Sequence, residues 1–135
     1  MPINSNVAAV GVINGTFVPV VVSVANTLRD GTGTLTPLGT AGPNGALLNR
    51  VQVQHMGAIG AASAALIARL WRTSGATKVL ESEVALPIVT PTVSVPGASA
   101  VFPKTNISLK AGEILSATIS VSEAVGFIPD QGGDY

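Results

Sequence analysis

Ser63-Ala64-Ala65-Leu66-Ile67-Ala68-Arg69-Leu70-Trp71-Arg72-Thr73, the turn Ser74-Gly75-Ala76, and Thr77-Lys78-Val79-Leu80-Glu81-Ser82-Glu83-Val84-Ala85-Leu86 decide the fold of this chain. The stretch reads as two antiparallel strands joined by a tight turn. Ser74-Gly75 supplies the positive-φ position that a short hairpin loop requires, and residues 78–86 alternate Leu80, Ser82, Val84 and Leu86 with Val79, Glu81, Glu83 and Ala85. One face can therefore be buried while the other meets water. Leu66, Ile67, Leu70 and Trp71 also fit the spacing of an amphipathic helix, and the alanines beside them favour one. Strand is the better reading, because the following segment is β and the chain holds no second helical stripe for such a helix to pack against.

Outward from the hairpin, the chain continues in the same idiom. On the N-terminal side, residues 47–55 alternate Val51 and Val53 with Arg50, Gln52 and Gln54, the pattern of a half-buried strand. A loop at 56–61 links it to the hairpin. Residues 26–46 form a long polar stretch rich in Gly, Thr and Pro, expected to be mainly turns with a short strand near Thr34-Leu35-Thr36. Its glycine groups are no phosphate cradle, since no Gly-Lys-Ser/Thr follows. Phe17 to Ala25 reads as a strand whose first part lies at a sheet edge because of Pro19. Residues 1–16 are expected to form an N-terminal arm or a first edge strand before the Asn14-Gly15 turn.

On the C-terminal side, residues 88–95 have strand residues between Pro87, Pro91 and Pro96, which suits an edge. A short piece at 98–103 and another at 106–109 lead through Lys110-Ala111-Gly112-Glu113 into 114–122, where Leu115, Ala117, Ile119 and Val121 share a face. Val125 to Ile128 adds one more strand before Pro129, and residues 130–135 read as an exposed polar tail. Seven or eight short strands with close turns indicate one all-β domain over residues 17–135, an antiparallel β-sandwich for which jelly-roll topology is one option.

Composition bounds the function. The 135 residues suit a single domain that buries roughly two-thirds of its unfolded surface. There is no cysteine, and seven basic residues balance seven acidic ones, so neither disulfide chemistry nor a nucleic-acid-binding stripe is expected. Charged residues are 10% of the chain against 47% hydrophobic, which predicts a surface covered by an oligomeric or other partner. No apolar run reaches the roughly 18 residues of a membrane span, and no signal-peptide pattern opens the chain, so use in the cytoplasm where it is made is expected.

Few residues could carry chemistry. His55 is the single histidine, too little for a metal site or a triad, and no metal, cofactor or enzymatic activity is expected. Glu81 and Glu83 fall two apart on one strand face. They are read as solvated partners of Arg69 or Arg72 across the hairpin rather than as a catalytic pair. Asp30, Asp130 and Asp134 sit in Gly-rich turns without the spacing of a calcium loop. Trp71 is a candidate sugar-stacking platform, although the chain is only 4% aromatic.

Taken in order, Asp30-Gly31-Thr32-Gly33-Thr34, Thr40-Ala41-Gly42-Pro43-Asn44-Gly45, Leu48-Asn49-Arg50-Val51-Gln52-Val53, Ala68-Arg69-Leu70-Trp71, Leu109-Lys110-Ala111-Gly112-Glu113-Ile114-Leu115 and Gly132-Gly133-Asp134-Tyr135 form a familiar succession. It resembles small β-sandwich structural proteins of tailed bacteriophages, which include capsid decoration, or cement, proteins. The resemblance covers roughly residues 20–135 and rests on the order of individually weak motifs. It implies a non-enzymatic virion component on the capsid surface, often a homotrimer, whose partner is the major capsid protein. Position and apolarity mark Ile3, Val7, Val10, Val12, Ile88, Val93, Val95 and Tyr135 as expected interface residues. The rival readings are a tail- or baseplate-associated sandwich and a carbohydrate-binding module built on Trp71.

Overall fold

The computed structural model describes residues 17–134 as nine strands, with no helix among them: β1 (Val20–Val22), β2 (Thr36–Thr40), β3 (Ala46–His55), β4 (Leu66–Ser74), β5 (Thr77–Leu86), β6 (Ser99–Val101), β7 (Ile107–Leu109), β8 (Ile114–Ile119) and β9 (Val125–Asp134). One sheet has the order β1-β9-β3-β6 with β7 also against β3, and the other the order β2-β8-β4-β5; all pairs are antiparallel. β6 and β7 pair with Gln52–Gln54 and Ala46–Leu48, the two halves of β3, and so act as one interrupted strand. Counted that way, the first strand pairs with the last, the second with the next to last, and so inward to the β4–β5 hairpin. This is a single long hairpin wound into two layers, the jelly-roll arrangement.

The hairpin at its centre forms as the sequence predicts. Ser74 pairs with Thr77, leaving Gly75 and Ala76 as a two-residue loop, and Gly75 has φ 59°, the positive value needed at the first central position of a type II′ turn. From β4, Leu66, Ala68 and Leu70 point inward. They meet Leu115, Ala117 and Ile119 of β8 in their own sheet and Leu48, Val51, Val53 and Phe127 from the opposite layer, all buried. The interruption between β6 and β7 also serves the core. Phe102 is fully buried with its ring centroid 6.0 Å from that of Phe127, while its N–H donates to Val51 O and that of Asn106, at φ 52°, to Asn49 O.

Several segments differ from the sequence-based expectation, each for a physical reason. Phe17 to Ala25 is not one strand. Phe17 bridges Gly39 of β2 and Val18 N–H donates to Leu38 O, whereas Val20–Val22 pair with β9. The chain changes sheets at Pro19, which has no N–H to continue a ladder. Residues 36–40 of the polar stretch form β2, bulged between Pro37 and Gly39. Residues 88–95 are a loop rather than an edge strand, turned by Thr92 N–H to Val95 O. Residues 130–134 are no free tail: β9 runs through Pro129, pairs to Ala46 of β3, and buries Gln131. Pro129 falls beyond residues 125–127, which pair with β1, and among the described residues no ladder runs along that side of β9 at the proline.

Both faces of β4 are buried, which the alternation did not predict. Arg69 and Trp71 on its outer face, with Ser116 and Thr118 of β8, are nearly inaccessible. The β1–β2 connection lies over that face: Asn26 N–H donates to Ile119 O, Arg29 reaches Glu83, and Gly31 packs on the Lys78 side chain. Asn26 shapes this connection by donating Nδ2 to Thr32 O and Thr34 O.

Candidate interaction surfaces

The carboxylates of the hairpin do not share a face. β5 carries a bulge at Glu81, since Leu70 pairs with Ser82 but Trp71 with Leu80, and the inserted residue shifts the alternation. Glu83 therefore points outward to Arg69 Nε at 2.9 Å and Arg29 Nη2 at 2.7 Å. Glu81 points to the other side, where Arg72 donates Nε and Nη2 at 2.9 Å each and Lys104 makes a second ion pair. Arg72 Nη1 also reaches Glu113 Oε1 at 3.3 Å, and that oxygen accepts the Lys110 N–H at 2.7 Å. Burial pushes the Glu81 carboxyl up, but the bonds from Arg72 and Lys104 outweigh it and hold it below its ordinary range. Glu83 is lowered by its hydrogen bonds from Arg29 and then Arg69. Each carboxylate is held ionised by cations, so neither is arranged as a general acid. Arg69 Nη1 is buried with no hydrogen-bond partner among the described residues.

His55 closes β3 and braces the loops beside it. Its Nδ1 accepts the Gly57 N–H at 3.2 Å, and its Nε2 lies 2.6 Å from Glu123 Oε2. Glu123 Oε1 in turn accepts the Ala64 N–H at 2.8 Å. A Cβ on Gly57 would collide with His55 Cε1, so a glycine there lets the loop fold onto the imidazole. Ser63 provides the second brace: its N–H donates to Val89 O, its hydroxyl donates to Pro87 O and accepts the Val89 N–H, and Gly60 N–H reaches Pro91 O. No group of three or more metal-ligating side chains forms among the described residues.

These bonds zip the loop 56–65 to the loop 87–98 at one end of the sandwich, and the pair displays Ile59, Ile88 and Val93 at 67%, 66% and 93% exposure. Of the expected interface residues, Ile88, Val93 and Val95 lie on this exposed tip; Ile3, Val7, Val10, Val12 and Tyr135 lie outside the described residues. Ile59 escaped the sequence reading, although an isoleucine between glycines in Gly57-Ala58-Ile59-Gly60 is a detectable signal for an exposed apolar side chain.

A second apolar surface borders β1, and nothing in the sequence pattern announced it. Val21, Val24, Leu28, Met56 and Ile128 are all substantially exposed there. Two clefts flank the strand and share Val21: one of about 700 Å³ runs toward Val24, Leu28 and Gly33, and one of about 350 Å³ lies among Pro19, Met56, Gly126 and Ile128.

Trp71 belongs to neither surface. It is 1% exposed and donates Nε1–H to Thr118 Oγ1 at 3.0 Å, so it serves packing and offers no ring face to a sugar. Comparisons with protein-family models, with curated proteins and with solved structures give no match.

Proposed function

We propose that this chain is a non-enzymatic structural protein of a bacteriophage virion, a decoration protein that binds the outer surface of the capsid through the major capsid protein. The observation that supports this reading best is the braced tip. Large apolar side chains are costly to expose, and here Ile59, Ile88 and Val93 are held outward by loops fixed through Ser63, His55 and Glu123. Such pre-organisation spares the ordering cost of binding. The jelly-roll architecture, used by viral capsid domains among others, and the resemblance of residues 20–135 to phage structural proteins supply the context. The carbohydrate-binding reading loses its motive with the burial of Trp71.

Burying three such side chains contributes about 1.5–3 kcal/mol each before the cost of association is subtracted, so each contact is modest. A decoration protein acts by number. Binding the assembled shell and not its dissociated subunits stabilises the shell by mass action at every site.

The test uses particles prepared without this protein, incubated with the purified chain and pelleted. The wild-type chain is expected to sediment with the particles and to raise the temperature at which they release their genome. An Ile88→Asp, Val93→Asp chain, with folding checked by circular dichroism, is expected to stay in solution. Equal sedimentation of the two would remove the tip from the proposal, and absence of wild-type binding would overturn the function.

A further inference from the structure

We propose that the β4–β5 face beside the tip seats an extended protein segment that carries a carboxylate two residues away from an apolar side chain. This inference rests on the virion reading and deepens it, naming the chemistry of the capsid segment that meets the chain next to Ile88.

Two clefts on this face share Ile67 and Ala85, which pair across β4 and β5, and so join into one groove. The part nearer the tip, about 300 Å³, is also lined by Ala65, Leu86, Pro87 and Ser120, and Pro87 leads directly to exposed Ile88. The other part, about 370 Å³, brings in Arg29, Arg69 and Glu83. Arg69 and Glu83 pair two positions along from Ile67 and Ala85, so the groove passes from apolar to cationic over that step.

The cationic end holds two positive charges against one negative. The Nε atoms of Arg69 and Arg29 both donate to the same oxygen, Glu83 Oε2, at 2.9 and 3.4 Å. The Arg69 side chain is 8% exposed, and its Nη1 has no partner among the described residues. A buried cation that shares its counter-charge with a second cation is costly, and a further carboxylate would balance it. Arg29, 59% exposed, is the guanidinium that an incoming carboxylate can reach, because Glu83 engages only its Nε and Nη2.

Spacing sets the rest of the ligand. Positions 67 and 69 lie about 7 Å apart along β4, and alternate side chains of an extended segment have the same separation. An Asp or Glu over Arg29 and Arg69 therefore places an apolar side chain two residues away over Ile67 and Ala85. Residues 1–16 of this chain contain no acidic residue and do not meet that chemistry.

Two measurements on particles prepared without this protein test the inference. In the first, pelleting at low and high salt compares the wild-type chain with Arg29→Gln and Arg29→Glu, each checked by its urea midpoint. Arg29→Gln is expected to bind about tenfold more weakly and Arg29→Glu more weakly still, both with a shallower salt dependence than the wild type. A merely structural role for Arg29 would lower the urea midpoint and leave the salt dependence as it was. Equal binding and equal salt dependence of the wild type and Arg29→Glu would overturn this inference while leaving the virion reading in place, whereas failure of the wild type to bind would overturn both. In the second, a short diazirine amino acid replaces Ala85, and the peptide it captures on illumination is identified by mass spectrometry. A peptide of the major shell protein with an Asp or Glu two residues from an apolar side chain is expected. A captured peptide without such an acid, or no capture by a chain that still pellets, would overturn the inference.

Discussion

Glu81→Gln tests the charge network that closes one end of the sandwich. The Glu81 side chain is 5% exposed and accepts two bonds at 2.9 Å from the Arg72 guanidinium as well as the ion pair from Lys104. Glutamine keeps the shape but removes the charge, and one of its two terminal atoms becomes a donor facing a donor. Breaking a fully buried ion pair costs about 3–5 kcal/mol, because the remaining charge is left unpaired. Arg72 and Lys104 are 22% and 49% exposed and Arg72 retains Glu113, so the cost should fall to about 2–3 kcal/mol. With a urea slope of about 1–3 kcal/mol per M, the unfolding midpoint should drop by roughly 0.7–3 M with the slope unchanged. The control is Asp130→Asn, which breaks the 4.0 Å contact with Arg50 between side chains that are both more than half exposed and should cost under about 0.5 kcal/mol. If Glu81→Gln shifted the midpoint no more than the control, the network would be a surface ornament and the bulge at Glu81 would need another explanation.

Three further outcomes are expected. Since the folded-state carboxyls of Glu81 and Glu83 are lowered, their contribution is complete above the unfolded value of about 4.3 and is lost as pH falls through their folded values, so urea midpoints should decline below about pH 4.5, and less steeply in Glu81→Gln. Gly57→Ala should push the imidazole of His55 away from Glu123 and speed hydrogen exchange at the amides of 56–65 without changing the β signal in circular dichroism; unchanged exchange would deny His55 its bracing role. Trp71→Phe removes the bond to Thr118 and part of a buried ring, and should destabilise by about 1–3 kcal/mol in calorimetry, while a glycan panel should bind neither protein.

The strands with clean alternation were legible in the sequence: β3 with Val51 and Val53 inward, β8 with Leu115, Ala117 and Ile119 inward, and the β4–β5 hairpin with its glycine turn. What could not be read arises from contacts between distant segments. The bulge at Glu81 separates two glutamates that simple alternation puts on one face, and only the pairing partners on β4 reveal it. Trp71 looked available because nothing in residues 63–86 shows that its ring is buried against β8, with Nε1–H on Thr118, or that residues 26–31, some forty positions earlier, bond to Ile119 and Glu83 on the same sheet. The split of residues 17–25 between two sheets and the passage of β9 through Pro129 likewise depend on which neighbour stands beside each residue. For the interaction surfaces, apolar type and flanking prolines were enough to place Ile88, Val93 and Val95 at an exposed position. Ile59 joins them only through the bonds from Gly60 and Ser63 to residues 89 and 91.

The most direct test of the proposed role is to band phage particles from the source culture on a density gradient and measure by mass spectrometry the ratio of this chain to the major shell protein. The decoration reading predicts that the chain travels with the particles at a copy number comparable to that of the shell subunit. A few copies per particle would assign it to the tail or a vertex, and its absence from the banded particles would contradict a virion role altogether.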